Sequence, residues 1–151
     1  MPALKPVPQI LLTALPLVPF LLLSRVRKRA AEKRAAFDDP DNASAIRAMF
    51  LHIADWLRAC GAETQNRTFG QFAPETAALL SPEYAARFAD AVPVWQQAAY
   101  SDHCPTDAQR AQVRALLRET ERTLYERADR KKRFRLNYVE CLRGRDEDEK
   151  K

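Results

Sequence analysis

The residue pair in this chain that most resembles reactive chemistry is His103 and Cys104, which adjoin in a polar stretch that ends at Pro105. A histidine close to a cysteine can activate the thiol as a nucleophile. Neighbours in sequence rarely face each other in a productive geometry, however, and this pair is predicted to occupy a turn. An enzyme or a metal protein is therefore the least favoured of three hypotheses. Its residues would be His52, Cys60, His103 and Cys104.

Motifs typical of catalytic or cofactor sites are missing from the sequence. Three glycines in the whole chain are too few for a phosphate-binding loop, and no HExxH or GxSxG segment occurs. His52 lies beside the apolar face of a predicted helix, next to Asp55, and is interpreted as a surface histidine. We therefore predict that the protein is not an enzyme and that it holds no cofactor and no metal.

The composition favours a helical protein with one domain and appended segments. The 151 residues are 46% hydrophobic and 30% charged, and no Asn-Gly or Asp-Gly turn separates alternating segments as it would between strands. The three cysteines, Cys60, Cys104 and Cys141, are odd in number and form no CxxC pair. This pattern favours reduced thiols in a cytosolic setting over a disulfide framework.

An uncharged run from Pro6 to Ser24 follows the first few residues and is rich in leucine, valine and phenylalanine. Its nineteen residues are just enough to cross the hydrocarbon core as a helix, and membrane helices tolerate its prolines. A secretory signal peptide and a buried soluble helix are the alternatives. We predict a single transmembrane segment within residues 1–24 and a location in the inner (cytoplasmic) membrane.

A basic flank follows this apolar run at once, as in a stop-transfer sequence. Its members are Arg25, Arg27, Lys28, Arg29, Lys33 and Arg34. By the positive-inside rule, the flank places the C-terminal part of the chain in the cytoplasm. Cations beside an apolar span more simply contact anionic lipid headgroups than nucleic-acid phosphates. The predicted partner is therefore the lipid bilayer, through residues 6–24 and the flank, and nucleic acid is the less favoured alternative.

The rest of the chain reads as helices, although the alternation at Phe134, Leu136 and Tyr138 also fits an extended segment. Residues 25–41 are predicted to form a basic juxtamembrane helix and a hinge, 42–128 a helical domain, and 129–151 a charged extension. Within the domain, apolar residues recur every three or four positions from Ala43 to Cys60. The fold class is all-α, with one N-terminal transmembrane helix and a small cytosolic bundle of about four helices.

Two of the predicted helices form a hairpin between Ser81 and Tyr125. Ser81 caps the first helix, and Pro93 is expected to kink it without ending it. Thr106 and Gln109 form a capping box for the second helix. The apolar stripes of the two helices are expected to face each other. They comprise Tyr84, Phe88, Ala91, Val92, Trp95 and Ala99 on the first helix, and Val113, Leu116, Leu117, Thr120 and Leu124 on the second.

Several polar and aromatic segments are candidate surfaces. A protein partner is expected at the turn of the hairpin, through Trp95, Tyr100, Ser101, Asp102 and His103. An arginine row at 110, 114, 118 and 122 is interpreted as a solvated face. Aromatic residues among the arginines of 127–135 fit an amphipathic end helix, extending to about Leu142, that packs on the domain or lies on the bilayer. Single-strand nucleic-acid binding by stacking is the alternative for this segment.

The order of these elements resembles one known family. The segments IRAMFLHIADWLRACG, LSPEYAARF and TDAQRAQVRALL, with Thr68 opening the second helix and Tyr100 closing the third, are similar to a bacterial domain of unknown function. That domain lies C-terminal to the last membrane helix of transglutaminase-like membrane proteins, and the resemblance covers roughly residues 10–128. It implies a cytosolic tail module, without the catalytic domain that precedes it in such proteins. The predicted function is a membrane-tethered interaction or scaffolding module; the alternative is a nucleic-acid-associated basic protein.

Overall fold

The computed structural model describes residues 17–142, with side chains from Leu21 onward. Over this range the chain forms six α-helices, a 3₁₀ turn at Ala36–Asp38 and no β-strand. The helices are α1 (Leu17–Ala35), α2 (Asn42–Ala59), α3 (Phe69–Leu79), α4 (Pro82–Tyr100), α5 (Asp107–Arg127) and α6 (Arg130–Tyr138). The predicted all-α class is confirmed for the part of the chain that the structure describes.

The helices begin where short polar side chains can satisfy their free N–H groups. The Asp41 carboxylate accepts hydrogen bonds from the backbone of α2, and the Ser81 hydroxyl accepts one from the Tyr84 N–H in α4. Thr106 and Gln109 form the predicted capping box at the start of α5. Sequence signals of this kind are local, which explains why the predicted starts agree with the structure.

Proline and glycine act at two different places. Helix α4 continues from Pro82 to Tyr100 through Pro93, so the prediction of one helix is confirmed. Gly61 follows α2 with a φ of +105°, a left-handed conformation that glycine adopts without steric cost. The chain then reverses toward α3.

Helix α2 lies at the centre of the core. Its large, fully buried side chains are Ile46, Met49, Phe50, Ile53, Trp56 and Leu57. Helices α4 and α5 pack on it, and α3 packs on α4. The predicted stripe of α5 is buried in full. On α4, Val94 and Ala98 are buried while Trp95 and Ala99 are only partly so, because this helix touches α2, α3 and α5 and buries a wider face.

The core also includes residues on both sides of the predicted 42–128 domain. Ala30 and Phe37 are buried before it, and Leu136 and Leu142 are buried after it. Helix α1 and the segment that follows α6 are therefore packed on the bundle. No helix within residues 17–142 combines the length and apolar character that crossing a bilayer requires. The predicted span covers 6–24, and its positions 6–16 lie outside the described residues.

The bundle has two distinct ends. At the loop end (residues 37–42 and 100–106), the Asn42 side chain donates to the Pro105 carbonyl at 3.0 Å, and Arg110 donates to the Phe37 carbonyl at 2.8 Å. Farther along α2, Lys33 pairs with Asp55 at 3.5 Å. From the loop end toward the Lys33–Asp55 pair, residue number falls along α1 but rises along α2. The two helices are therefore antiparallel. The start of α1 therefore points to the opposite end, the basic end (residues 21–29 and 130–142).

Candidate functional site

The basic flank is divided by the structure into two groups. Arg25, Arg27 and Arg29 are exposed to solvent, as is Lys28, which pairs with Glu32, one turn on along α1, at 4.0 Å. Lys33 instead binds Asp55, and Arg34 binds Glu121 at 3.1 Å. Four of the six predicted membrane-surface residues are thus presented outward, and the last two fasten α1 to α2 and α5.

The first turns of α1 also present apolar side chains. Leu21 and Leu22 are more than half exposed, at 54% and 57%. On another face, Leu23 and Val26 are partly buried, and Ala30 is buried. The spacing of three and four residues gives α1 one face that packs on the bundle and another that stays free. The exposed leucines come directly before the exposed arginines, as expected at the edge of a membrane segment.

The predicted partner-binding residues come together at the loop end. The Tyr100 ring is 80% exposed and stands perpendicular to that of Trp95, with centroids 5.6 Å apart. Trp95 in turn packs on Phe69 at 4.5 Å. The exposed residues Ser101, Asp102 and His103 follow, and the Ser101 hydroxyl accepts a hydrogen bond from the His103 N–H at 3.1 Å. This corner therefore presents an exposed aromatic ring that packs on Trp95, next to a short polar turn.

His52 is not the surface residue that the sequence suggested. It is 3% exposed, and its Nε2 lies 3.2 Å from Glu121 Oε1, 3.1 Å from the Leu142 carbonyl and 3.2 Å from Trp56 Nε1. Its ring also contacts Phe37, with centroids 5.1 Å apart. The prediction failed because its partners are 69 and 90 positions away, where helical periodicity carries no information.

These groups form a polar junction, made of Arg34, His52, Glu121 and the Leu142 carbonyl. Glu121 Oε1 accepts from Arg34 and lies within hydrogen-bonding distance of His52. A single imidazole nitrogen cannot both accept from Trp56 and donate to Glu121 or Leu142, so the tautomer decides which bonds form. With a proton on Nε2, the ring links α2 to α5 and to the end of the described chain. The junction thus ties four parts of the fold together.

The arginine row on α5 is also divided. Arg110 donates to the Asn42 side chain and to the Phe37 carbonyl, and Arg114 donates to the same carbonyl at 2.7 Å and to Asp38 at 2.8 Å. The interpretation as a solvated face is therefore wrong for these two residues. The 3₁₀ turn after α1 leaves carbonyl groups without helical partners, and the two guanidinium groups satisfy one of them. Arg118 and Arg122 are exposed, as predicted.

The last helix is shorter than predicted. It ends at Tyr138, and Cys141 adopts a left-handed conformation with a φ of 51°. This turn lets the Leu142 N–H donate to the Leu136 carbonyl at 3.0 Å, and Leu142 returns to the core. Val139 is left 66% exposed.

The cysteines and the second histidine do not assemble into a reactive site. Cys104 is exposed, and its sulfur contacts Asp41 at 3.9 Å, while Cys60 is partly buried and Cys141 is buried. Burial raises the pKa of the Cys60 thiol, which disfavours the thiolate. Among the described residues, no three histidine, cysteine or acidic side chains lie close enough to hold a metal ion. His52 and His103 lie apart, in the junction and in the turn at the loop end.

No family model, no curated protein and no solved structure matches this chain. The resemblance to the tail domain of transglutaminase-like membrane proteins therefore stays a prediction.

Proposed function

We propose that this chain is a membrane-tethered helical interaction module, with residues 6–24 as its span and the bundle on the cytoplasmic side of an inner membrane. The observation that carries the proposal is the course of α1. The described part of this helix begins inside the apolar run, passes through the exposed arginines, and is fastened to the bundle by Arg34.

A docked helix of this kind holds a domain differently from a flexible linker. The distance from Arg25 to Arg34 along α1 is about 14 Å, at about 1.5 Å per residue. Since Lys33 and Arg34 are paired with the bundle, the domain would sit within about two to three helix turns of the headgroups. The loop end, with Tyr100, would then face away from the membrane and toward a protein partner in the cytoplasm.

The resemblance to the tail domain supports the same interpretation. A module of that family would stand on the cytosolic side of a membrane helix and would carry no catalytic residues itself. The observed order of helices, with Thr68 before α3 and Tyr100 at the end of α4, agrees with the pattern on which the resemblance rests.

The experiment is a topology assay with a cytoplasmic reporter fused after Lys151. The native chain is expected to stay with bacterial membranes after an alkaline wash, with an active reporter. Replacing Leu15 and Leu17 by arginine should release it, because each arginine near the centre of a span costs about 3 kcal/mol on insertion scales. The matched control is Leu51→Arg, at a leucine that is 59% exposed on α2. Extraction of the native chain, or an exported reporter, would contradict the proposal.

A further inference from the structure

Helix α6 carries a cationic and aromatic surface that the bundle does not use. Arg130, Lys131 and Arg135 are exposed, and no acidic residue lies within the helix. The rings of Phe134 and Tyr138 are 62% and 42% exposed, with centroids 4.8 Å apart. With Val139, these residues form what we call the α6 patch: Arg130, Lys131, Phe134, Arg135, Tyr138 and Val139.

Arg133, on the same helix, already has partners in the fold. Arg133 donates to the Tyr125 and Glu126 carbonyls, and its guanidinium lies 5.2 Å from the centre of the Tyr125 ring. Asp129 caps the helix by accepting from the Lys132 N–H at 2.7 Å. The helix is therefore fixed in place on the bundle by its inner face. The α6 patch is presented outward by a well-anchored element.

The α6 patch lies at the same end of the bundle as the start of α1. The Leu142 carbonyl meets His52 at the polar junction, where Arg34 of α1 also arrives. Val139 is three residues from Leu142, which is at most about 10 Å of extended chain. Because α1 runs antiparallel to α2, its exposed arginines continue from the junction toward this end. Two separate cationic surfaces thus share the basic end.

We propose that the α6 patch is a second membrane contact, which binds an anionic lipid surface and holds the bundle against the bilayer that anchors α1. The inference rests on the proposed function, since it takes the bilayer to lie beside the start of α1. Exposed cations attract anionic headgroups, and aromatic side chains favour the headgroup region. The patch supplies both, with aliphatic Val139 beside them.

The geometry favours lipid over single-stranded nucleic acid. The Phe134 and Tyr138 rings are inclined by 36° and lie against each other, so each covers part of the face on which a base would stack. Arg135 is paired with Glu140 at 3.3 Å, which lowers its availability to any phosphate, so Arg130 and Lys131 are the more available cations of the patch. A headgroup layer has no such need for free ring faces, because it accepts aromatic side chains in many orientations.

The test uses the full chain in nanodiscs, with a fluorophore that reports polarity at Val139→Cys after all three native cysteines are replaced by serine. Nanodiscs of phosphatidylcholine alone are compared with nanodiscs that contain phosphatidylglycerol. We expect a blue-shifted emission only with phosphatidylglycerol, and a loss of the shift in high salt. The matched control is the same fluorophore at Tyr100→Cys, at the loop end, where emission should not change. Helical content by circular dichroism checks that each variant folds.

Charge reversal identifies the residues responsible. Lys131→Glu is expected to weaken the affinity of the α6 patch for the phosphatidylglycerol surface by about 25-fold. Each unit charge near the surface contributes about fivefold, and this reversal changes the charge by two. Arg118→Glu, at an exposed arginine on α5, should change this affinity by less than about twofold. Hydrogen exchange of residues 130–142 in the native chain is the second readout, and it should slow with phosphatidylglycerol.

The outcomes separate the two proposals. A chain that does not enter nanodiscs contradicts the proposed function itself. A chain that enters them, but whose position 139 and exchange rates ignore phosphatidylglycerol, overturns only the second contact. A response to a single-stranded oligonucleotide at physiological salt, stronger than the response to phosphatidylglycerol, would overturn it in favour of nucleic acid.

Discussion

The α4–α5 hairpin and the two outer segments, α1 and residues 139–142, are attached to the core by different forces. The hairpin buries two apolar stripes against α2, and its polar contacts, such as the Tyr84–Thr120 and Arg87–Glu119 pairs between its two helices, add to this burial. The outer segments bury little besides Ala30, Cys141 and Leu142, and they meet at the polar junction around Glu121. The difference teaches that the folding core and the attachment of the outer segments depend on separate sets of residues, which mutations can distinguish.

The largest expected effect lies in the apolar core. Phe50→Ala should lower the free energy of unfolding by about 3–5 kcal/mol, because it empties a site enclosed by Phe69, Phe88 and Trp95. Urea titration followed by tryptophan fluorescence measures the change. The neighbouring exposed residue gives the control, and Leu51→Ala should stay within about 0.5 kcal/mol of the native chain. Equal effects of the two variants would contradict the assigned core.

A smaller effect is expected at the polar junction. Glu121→Ala should cost about 2–3 kcal/mol, because it leaves Arg34 and His52 without their shared acceptor in a partly buried site. Glu119 on the same helix pairs with the more exposed Arg87 at 2.7 Å. Since surface ion pairs contribute about 0–1 kcal/mol, Glu119→Ala is the matched control. Indistinguishable unfolding curves for the two variants would contradict the claim that the polar junction stabilises the fold.

The smallest effect at neutral pH concerns a hydroxyl within the hairpin. The Tyr84 hydroxyl lies 2.6 Å from that of Thr120, so Tyr84→Phe should cost about 1 kcal/mol. Burial raises the pKa of Tyr84 to about 12. The neutral tyrosine therefore stabilises the fold fully below the unfolded pKa, near 10, and this contribution is lost as pH rises toward 12.

The pH dependence of the free energy of unfolding gives a sharper test than its value at neutral pH. Between pH 10 and pH 12, the native chain should lose stability relative to Tyr84→Phe at about 1.4 kcal/mol per pH unit. Urea titrations of both proteins across this range measure the difference. Parallel curves would mean that the Tyr84 hydroxyl is not buried as the structure places it.

The sequence predicted the apolar hairpin better than the polar contacts of the outer segments. Helical periodicity located the α5 stripe from Val113 to Leu124, and cap residues such as Thr106 marked the starts, because both signals are local. His52 and Arg114 were misjudged, since their partners lie far away in the chain. Of the candidate surfaces, the sequence indicated the exposed Tyr100 and Arg25, but not the polar junction. A charged residue beside an apolar stripe has the same local pattern whether it is solvated or paired.

The measurement that tests this account most directly is hydrogen exchange of the full chain and of Glu121→Ala. If the junction joins the outer segments to the bundle, the variant should lose protection in residues 30–35 and 139–142 together. The α4–α5 hairpin, held by apolar burial, should keep its protection around Phe88 and Leu117. Unchanged exchange in both outer segments, or an equal loss across the whole bundle, would contradict the claim that these segments are held at one shared polar junction.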